Sequence, residues 1–282
     1  VTGSPTVKLR RLSAELIRLR KKAGLTVEEV TTRLGWSKGR LTKWETNQWT
    51  RPDLVLIRAL LDLYGVTDNA VREAILDLAR QSREKGWWAK YTDVFRGDLP
   101  GFEADATQIR TYEALYVPGL LQTSGYAAAV FRAGQVLDEV SVKRRVEVRM
   151  VRQDVLKREK PPEFYALIDE AALRKMVGGP EVMAEQLRHL IEVAAEPHIT
   201  IQILPDAIGA HAAMPGPFTI LDFGTALDPS VVYLETATDS LHLEKPEELQ
   251  AYNRIFTQAV AFSQTPEESV RYLATLVDQL KM

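Results

Sequence analysis

The chain has 282 residues, too many for one small helical module and enough for two domains that each bury a core. Hydrophobic residues make up 45% and charged residues 26%, the profile of a folded protein rather than a disordered one. The absence of cysteine excludes disulfides, thiolate zinc sites and a Cys nucleophile, and it fits a reducing interior, so a cytoplasmic location is expected. No apolar run approaches the roughly 20 residues needed to span a bilayer, and the N-terminus lacks the apolar segment of a signal peptide, so no membrane association is expected. The net charge of −2 hides a split: residues 1–86 carry 17 Lys and Arg against 10 Asp and Glu, the remainder 19 against 28. A basic front part is the footprint of a phosphate-binding module.

Leu9, Leu12, Leu16, Leu19 and Ala23 recur at spacings of three and four and predict a first helix stopped at Gly24. Thr26 with Glu29 three residues on predicts a capping box, and Val27, Val30 and Leu34 give the buried side of a second helix ending at Gly35. Ser37 is a fresh N-cap, and Leu41 with Trp44 gives the apolar face of a third short helix. Arg51-Pro52-Asp53 breaks the chain before a fourth helix through Leu54, Ile57, Leu60, Leu61 and Leu63, and a fifth begins near Asp68. These five helices predict an all-α domain over residues 1–86, ending in the polar run from Gln81 to Gly86.

From residue 87 the pattern predicts a mixed α/β (α+β) domain to residue 282. Trp87-Trp88 and the stretch to about residue 101 stay unassigned, while Ala104 to Leu115, Ser124 to Ala133 and Val140 to Arg158 read as helices. Phe164–Ile168, a helix from near Pro180 to near Ala195, and Ile199–Leu204 predict a right-handed parallel crossover. Phe218–Phe223 and Val231–Glu235 read as a hairpin, and Glu247–Phe262 and Glu267–Leu280 as closing helices.

Two short helices joined at Gly35 by a tight turn can pack so that the second enters the major groove of DNA. The run Leu-Arg-Lys-Lys-Ala-Gly-Leu-Thr-Val-Glu-Glu-Val from Leu19 to Val30, followed by Ser37, Leu41 and Trp44-Glu45, resembles the XRE family of helix-turn-helix repressors with Cro-like and CI-like, lambda-repressor-like five-helix domains. The resemblance implies a DNA-binding transcriptional regulator. It places Lys38, Gly39 and Lys43 against base edges, Arg40 and Thr42 near the backbone, Ser37 and Thr26 at phosphates, and Arg20 with Glu45 in a structural ion pair. Lys38 and Lys43 are the expected readers, since lysine can donate to guanine O6 and N7. Two departures stand out: Thr31 occupies a slot where the family favours a small residue, and Gly39 costs helix stability while adding no side chain.

The later segments Trp88, Tyr112-Glu113, Val117-Pro118-Gly119-Leu120-Leu121-Gln122-Thr123, Tyr126, Arg149, Arg152-Gln153, Asp169 to Arg174, Gln186-Leu187 and Ile203-Leu204-Pro205 resemble the second domain of a group of actinobacterial regulators of the WhiJ-like or antitoxin-like type. That resemblance implies a domain of unassigned chemistry that often meets a small partner protein, acidic or basic and encoded nearby, with no cofactor. Trp87, Trp88, Tyr112, Tyr116, Pro118, Gly119, Leu120 and Leu121 are the candidate partner or ligand residues. The alternative is a ligand-responsive regulator whose aromatic residues, Tyr91 and Phe131 among them, line a pocket. His189, His198, His211 and His242 lack metal-ligand spacing, and no nucleophile elbow or phosphate loop appears, so neither a metal nor catalysis is expected. An enzyme reading would rest on Asp169 or His211. The expected assembly is a homodimer on a two-fold related operator, with its interface on the second domain.

Overall fold

The structure is a computed structural model. It describes the chain except for residues 1–4, 50, 85, 92, 95–97, 135–137, 225–229, 237–238 and 281–282 and the side chains of Pro5 and Lys38. The chain divides into two compact units, one built from Val1–Thr92 and Asp98–Asp105, the other chiefly from Ala106–Gly224 and Ser230–Met282.

The first unit is helical: α1 (Pro5–Lys22), α2 (Val27–Leu34), α3 (Lys38–Glu45), α4 (Leu54–Leu63), α5 (Asn69–Gln81), a 3₁₀ turn (Trp87–Lys90) and α6 (Leu99–Asp105). Each boundary has a local cause. Thr26 and Glu29 close the capping box at the start of α2, and Gly35, at φ 64°, ends it in the left-handed conformation that glycine adopts without strain. Asp53 Oδ1 accepts from the Val55 amide at 2.8 Å, and Asp68 Oδ1 accepts from that of Ala70 at 2.8 Å, so α4 and α5 start at carboxylate caps. Leu12 and Leu16 from α1, Val30 from α2, Leu41 from α3, Ile57, Leu60 and Leu61 from α4 and Ile75 and Leu76 from α5 form one core. The short α6 begins in the stretch that the sequence leaves unassigned and ends inside the segment expected as a helix from Ala104. Trp88, grouped in the sequence with the second domain, lies in this unit, its ring filling space that side chains at Gly86 and Gly101 would need.

The second unit is built on a six-stranded sheet: β1 (Ala106–Glu113), β2 (Glu163–Asp169), β3 (Ile199–Leu204), β4 (Phe218–Phe223), β5 (Val231–Glu235) and β6 (Ser240–Leu243), in the order β3-β2-β1-β4-β5-β6. β1 pairs parallel with β2 and antiparallel with β4, and β2 pairs parallel with β3. The predicted hairpin is present as the antiparallel β4–β5 pair, and β6 extends it. The helices are α7 (Ser124–Gly134), α8 (Glu139–Arg152), α9 (Glu170–Arg174), α10 (Pro180–Val193), α11 (Pro246–Ala261) and α12 (Pro266–Gln279). Tyr112, Leu167, Phe218, Ile220, Val232 and Phe256 pack one core of this unit.

Two helical expectations are corrected. The segment expected as a helix from Ala104 to Leu115 is α6 followed by β1, a central strand with partners on both sides. Thr107, Ile109 and Thr111 supply β-branched residues, and pairing with segments more than 50 residues away outweighs the helix-forming ends of the window. The helix expected to reach Arg158 stops at Arg152 and continues as a 3₁₀ turn, Gln153–Lys157. There Gln153 is buried and its amide donates to the carbonyls of Gly119 at 3.2 Å and Gln122 at 2.7 Å.

Candidate nucleic-acid interface

Three residues separate α2 from α3, and the turn is fixed by the Trp36 amide donating to the Thr31 carbonyl at 2.8 Å. Thr31 itself is buried without an unpaired hydroxyl, since its Oγ1 donates to the carbonyls of Val27 and Glu28. Along α3, Leu41 and Trp44 face the core, whereas Gly39, Arg40, Thr42 and Lys43 are exposed. A short amphipathic helix is thus held by its apolar side and presents a polar, basic strip. Ser37, Gly39, Arg40, Lys43 and Trp44 line a shallow groove at that surface.

Ser37 stands at the N-cap, but its hydroxyl makes no capping bond, and the Arg40 amide donates instead to the Ser37 carbonyl at 3.0 Å. Lys38 opens α3, and its side chain lies outside the described residues. Gly39 has open space where a Cβ would stand. Thr26 is differently engaged: its hydroxyl accepts from the Glu29 amide and donates to the Glu29 carboxylate at 2.9 Å. The backbone and hydroxyl bonds from Thr26 hold the Glu29 carboxyl below the usual carboxylate range.

Behind the strip, Arg20 and Glu45 form a two-pronged pair, Nε to Oε1 at 2.6 Å and Nη2 to Oε2 at 2.8 Å, and Arg20 Nη1 also donates to the Leu25 carbonyl at 2.7 Å. That hydrogen bond to Glu45 raises the Arg20 pKa further, and burial together with Glu45 pushes the Tyr64 hydroxyl up. The sequence reading assigned no role to Trp36 or Trp49. The ring of Trp36 lies 5.2 Å from that of Trp44, Trp44 stacks on Trp49 at 4.3 Å, and Trp49 Nε1 donates to Ser13 Oγ at 2.9 Å. The Arg40 guanidinium sits over Trp36 at 5.5 Å, so a tryptophan ladder rooted on α1 supports a basic side chain of the strip. The available signal was compositional: three of the chain's five tryptophans fall within residues 36–49.

In the second unit the partner and ligand candidates part company. Tyr116 is half exposed, whereas Tyr112, Pro118, Leu120 and Leu121 are buried and Gly119 packs against the Arg149 guanidinium. The Pro-Gly-Leu-Leu-Gln-Thr run is a knot tied by glutamines. Gln122 Nε2 donates to the Val117 carbonyl, Gln186 Nε2 to the Leu121 carbonyl at 2.7 Å, and Gln186 Oε1 accepts from the Thr123 amide at 2.7 Å. Trp87 lies edge-on to Trp88 and Tyr91 in the first unit, each 6.0 Å between centroids.

The structure brings Asp169 and His211 together, with His211 Nε2 3.7 Å from Asp169 Oδ2, an oxygen that also accepts from the Tyr112 hydroxyl at 3.1 Å. Burial, then the Asp169 charge, raises the Tyr112 pKa. Asp169 Oδ1 caps α9 through the Ala171 amide. On the next residue of β1, burial and the nearby Glu235 push the Glu113 carboxyl up to about 7, against the pull of Arg149 and Arg152. Among the described residues no group of three His, Asp or Glu is arranged to hold a metal ion, and no helix is long and apolar enough to cross a membrane.

Residues 11–74 match the family model of a helix-turn-helix domain, a head that suggests a DNA-binding regulator. Residues 96–275 match the model of a domain of unknown function, DUF5753. That match covers well over half of the sequence, and the chain belongs to the DUF5753 family. Neither a curated protein nor a solved structure matches it.

Proposed function

We propose that this chain is a sequence-specific DNA-binding regulator of the XRE type, a repressor of the WhiJ-like or antitoxin-like group, that acts in the cytoplasm as a homodimer. The observation that carries the reading is the exposed strip of Gly39, Arg40, Thr42 and Lys43 on α3, set opposite the buried Leu41 and Trp44 and backed by α2. A helix in this setting can enter the major groove, with Lys38 and Lys43 reading base edges and Arg40 and the α3 amides holding phosphates. The surplus of Lys and Arg in residues 1–86 adds the sequence-independent attraction. In this reading the second unit is a regulatory and assembly module, not an enzyme. Leu115 and Tyr116, both about half exposed, are among the apolar residues it offers, and Tyr116 is the one of the candidate partner residues in this unit that is open to a small partner protein.

The test is selection of duplex DNA from a random library by the full chain, followed by binding of the selected site and scrambled DNA to the Lys38→Ala/Lys43→Ala variant. The expected result is a narrowed ratio between the two DNAs. Unchanged discrimination overturns the readout assignment, and failure of the unmodified chain to enrich any DNA overturns the regulator reading.

A further inference from the structure

The arginines of the first unit are held in two ways. Arg18, Arg20, Arg72 and Arg80 are paired with Glu15, Glu45, Asp62 and Asp77, whose oxygens occupy part of the guanidinium fork. Arg40 is exposed, has no carboxylate partner among the described residues, and lies over the Trp36 ring at 5.5 Å. Stacking engages the flat face of a guanidinium and leaves the N–H donors in its plane open to an acceptor. Trp36 owes its place to the end of α2: Gly35 turns left-handed and the Trp36 amide closes on the Thr31 carbonyl at 2.8 Å, the position at which a helix stop takes an apolar residue. The ring is then braced through Trp44 and Trp49 to the buried Ser13. Packing alone would be met there by any large apolar side chain, whereas a face that holds a cation needs an aromatic one.

We propose that Trp36 is a positioning residue for DNA binding, whose ring holds Arg40 at the flank of α3 so that its guanidinium grips a phosphate on the wall of the groove that α3 enters. The inference rests on the DNA-binding reading above and gives a role to Trp36, which that reading leaves without one. With the midpoint of Leu41 and Trp44 as the direction of the core and about 100° per residue, Gly39 points about 170° away, Thr42 and Lys43 about 130°, and Arg40 only about 70°, on the Trp44 side. The floor of the groove therefore falls to Gly39, Thr42 and Lys43, and Arg40 meets the phosphate wall. An unstacked arginine has to be ordered on binding, at a cost in side-chain entropy, and the Trp36 ring orders this one beforehand. A wall contact carries charge but no base sequence, so it sets affinity and salt dependence and leaves discrimination to the floor.

The test is binding of the full chain to a duplex it selects from a random library and to a scrambled duplex, by fluorescence anisotropy across a series of KCl concentrations. Arg40→Gln is expected to weaken both duplexes by the same factor, about tenfold, and to lower the slope of log affinity against log salt by about one for each bound chain. Trp36→Leu and Trp36→Met, which keep an apolar side chain at the turn, show the same pattern to a smaller extent and add nothing in the Arg40→Gln background. Trp36→Phe, which restores an aromatic face, brings the slope back. Circular dichroism melts check that the variants are folded at the temperature of the assay. If the unmodified chain enriches no duplex, the DNA-binding reading and this inference fall together. If it does, and Arg40→Gln leaves the slope unchanged or alters discrimination between the duplexes, the wall contact falls and the DNA-binding reading stands. Additive losses from the Trp36 and Arg40 variants, or an unchanged slope in the Trp36 variants, overturn the positioning role of Trp36.

Discussion

Arg20 and Glu45, on α1 and at the end of α3, are joined by two hydrogen bonds of 2.6 and 2.8 Å with side chains only 12% and 10% exposed. The pair fixes the C-terminal end of the proposed recognition helix to the first helix of the domain. Removing one partner leaves the other charge almost buried and unpaired, which costs far more than the pair contributes as a whole. Glu45→Ala is expected to destabilise the first unit by about 3 kcal/mol, whereas Arg20→Met/Glu45→Leu recovers most of that loss. Denaturant unfolding followed by tryptophan fluorescence reports on Trp36, Trp44 and Trp49 in this unit. Equal losses in the single and double variants would show that the helices, not the charges, carry the contact.

Gly39 separates folding from binding. It lies in α3 at a site where a Cβ meets nothing within 4 Å, so Gly39→Ala brings no clash and gains helix propensity of roughly 1 kcal/mol. The melting temperature of the first unit is expected to rise. DNA affinity is expected to fall, since the added methyl stands on the surface proposed to face the groove, and the salt slope should stay unchanged because no phosphate contact is lost. Tighter binding together with higher stability would mean that the α3 surface is not in contact at Gly39.

How much of this surface is legible in sequence depends on the range of the interactions. Thr26 with Glu29, and Gly35 after Leu34, are local signals, and they mark the start and end of α2 to the residue. The Arg20–Glu45 pair spans 25 positions and is legible only through the family resemblance. Ala104–Leu115 misleads because its fate as β1 is set by Phe164–Ile168 and Phe218–Asp222, far outside any local window. Strand β6 has four residues and no alternation long enough to detect. Asp169 and His211 are each visible as titratable residues, but their separation of 42 positions hides that they meet. The glutamine knot under Leu120 and Leu121 turns an apparent binding motif into interior structure.

Glu113 makes the second unit sensitive to pH. Its carboxyl is pushed up to about 7 by burial and by Glu235, against an ordinary value of 4.5. Between these values the folded chain holds a proton that the unfolded chain has released, so stability is full on the acid side and falls as pH rises through about 7. The loss between pH 5 and 8 is on the order of 2 kcal/mol after allowance for partial solvent access. Glu113→Gln, neutral throughout, is expected to remove that slope and to leave stability at pH 5 nearly unchanged. An identical pH profile in the variant would assign the titration to another group.

Gln186 is fully buried on α10 and ties two backbone groups of the Pro-Gly-Leu-Leu-Gln-Thr run, donating to the Leu121 carbonyl and accepting from the Thr123 amide, both at 2.7 Å. Gln186→Met keeps the volume and removes both partners, leaving a carbonyl and an amide unpaired. The expected loss is about 3 kcal/mol, the desolvation cost of two orphaned groups rather than the modest net value of two hydrogen bonds. Because the damage lies in the second unit, its unfolding transition should move to lower temperature while the tryptophan-reported transition of the first unit stays in place. The proposed DNA affinity at low temperature should likewise be retained, and any dimer should dissociate as the second unit melts. A loss below about 1 kcal/mol would show that the run re-satisfies its backbone groups by another route, and the glutamines would then be dispensable to the fold.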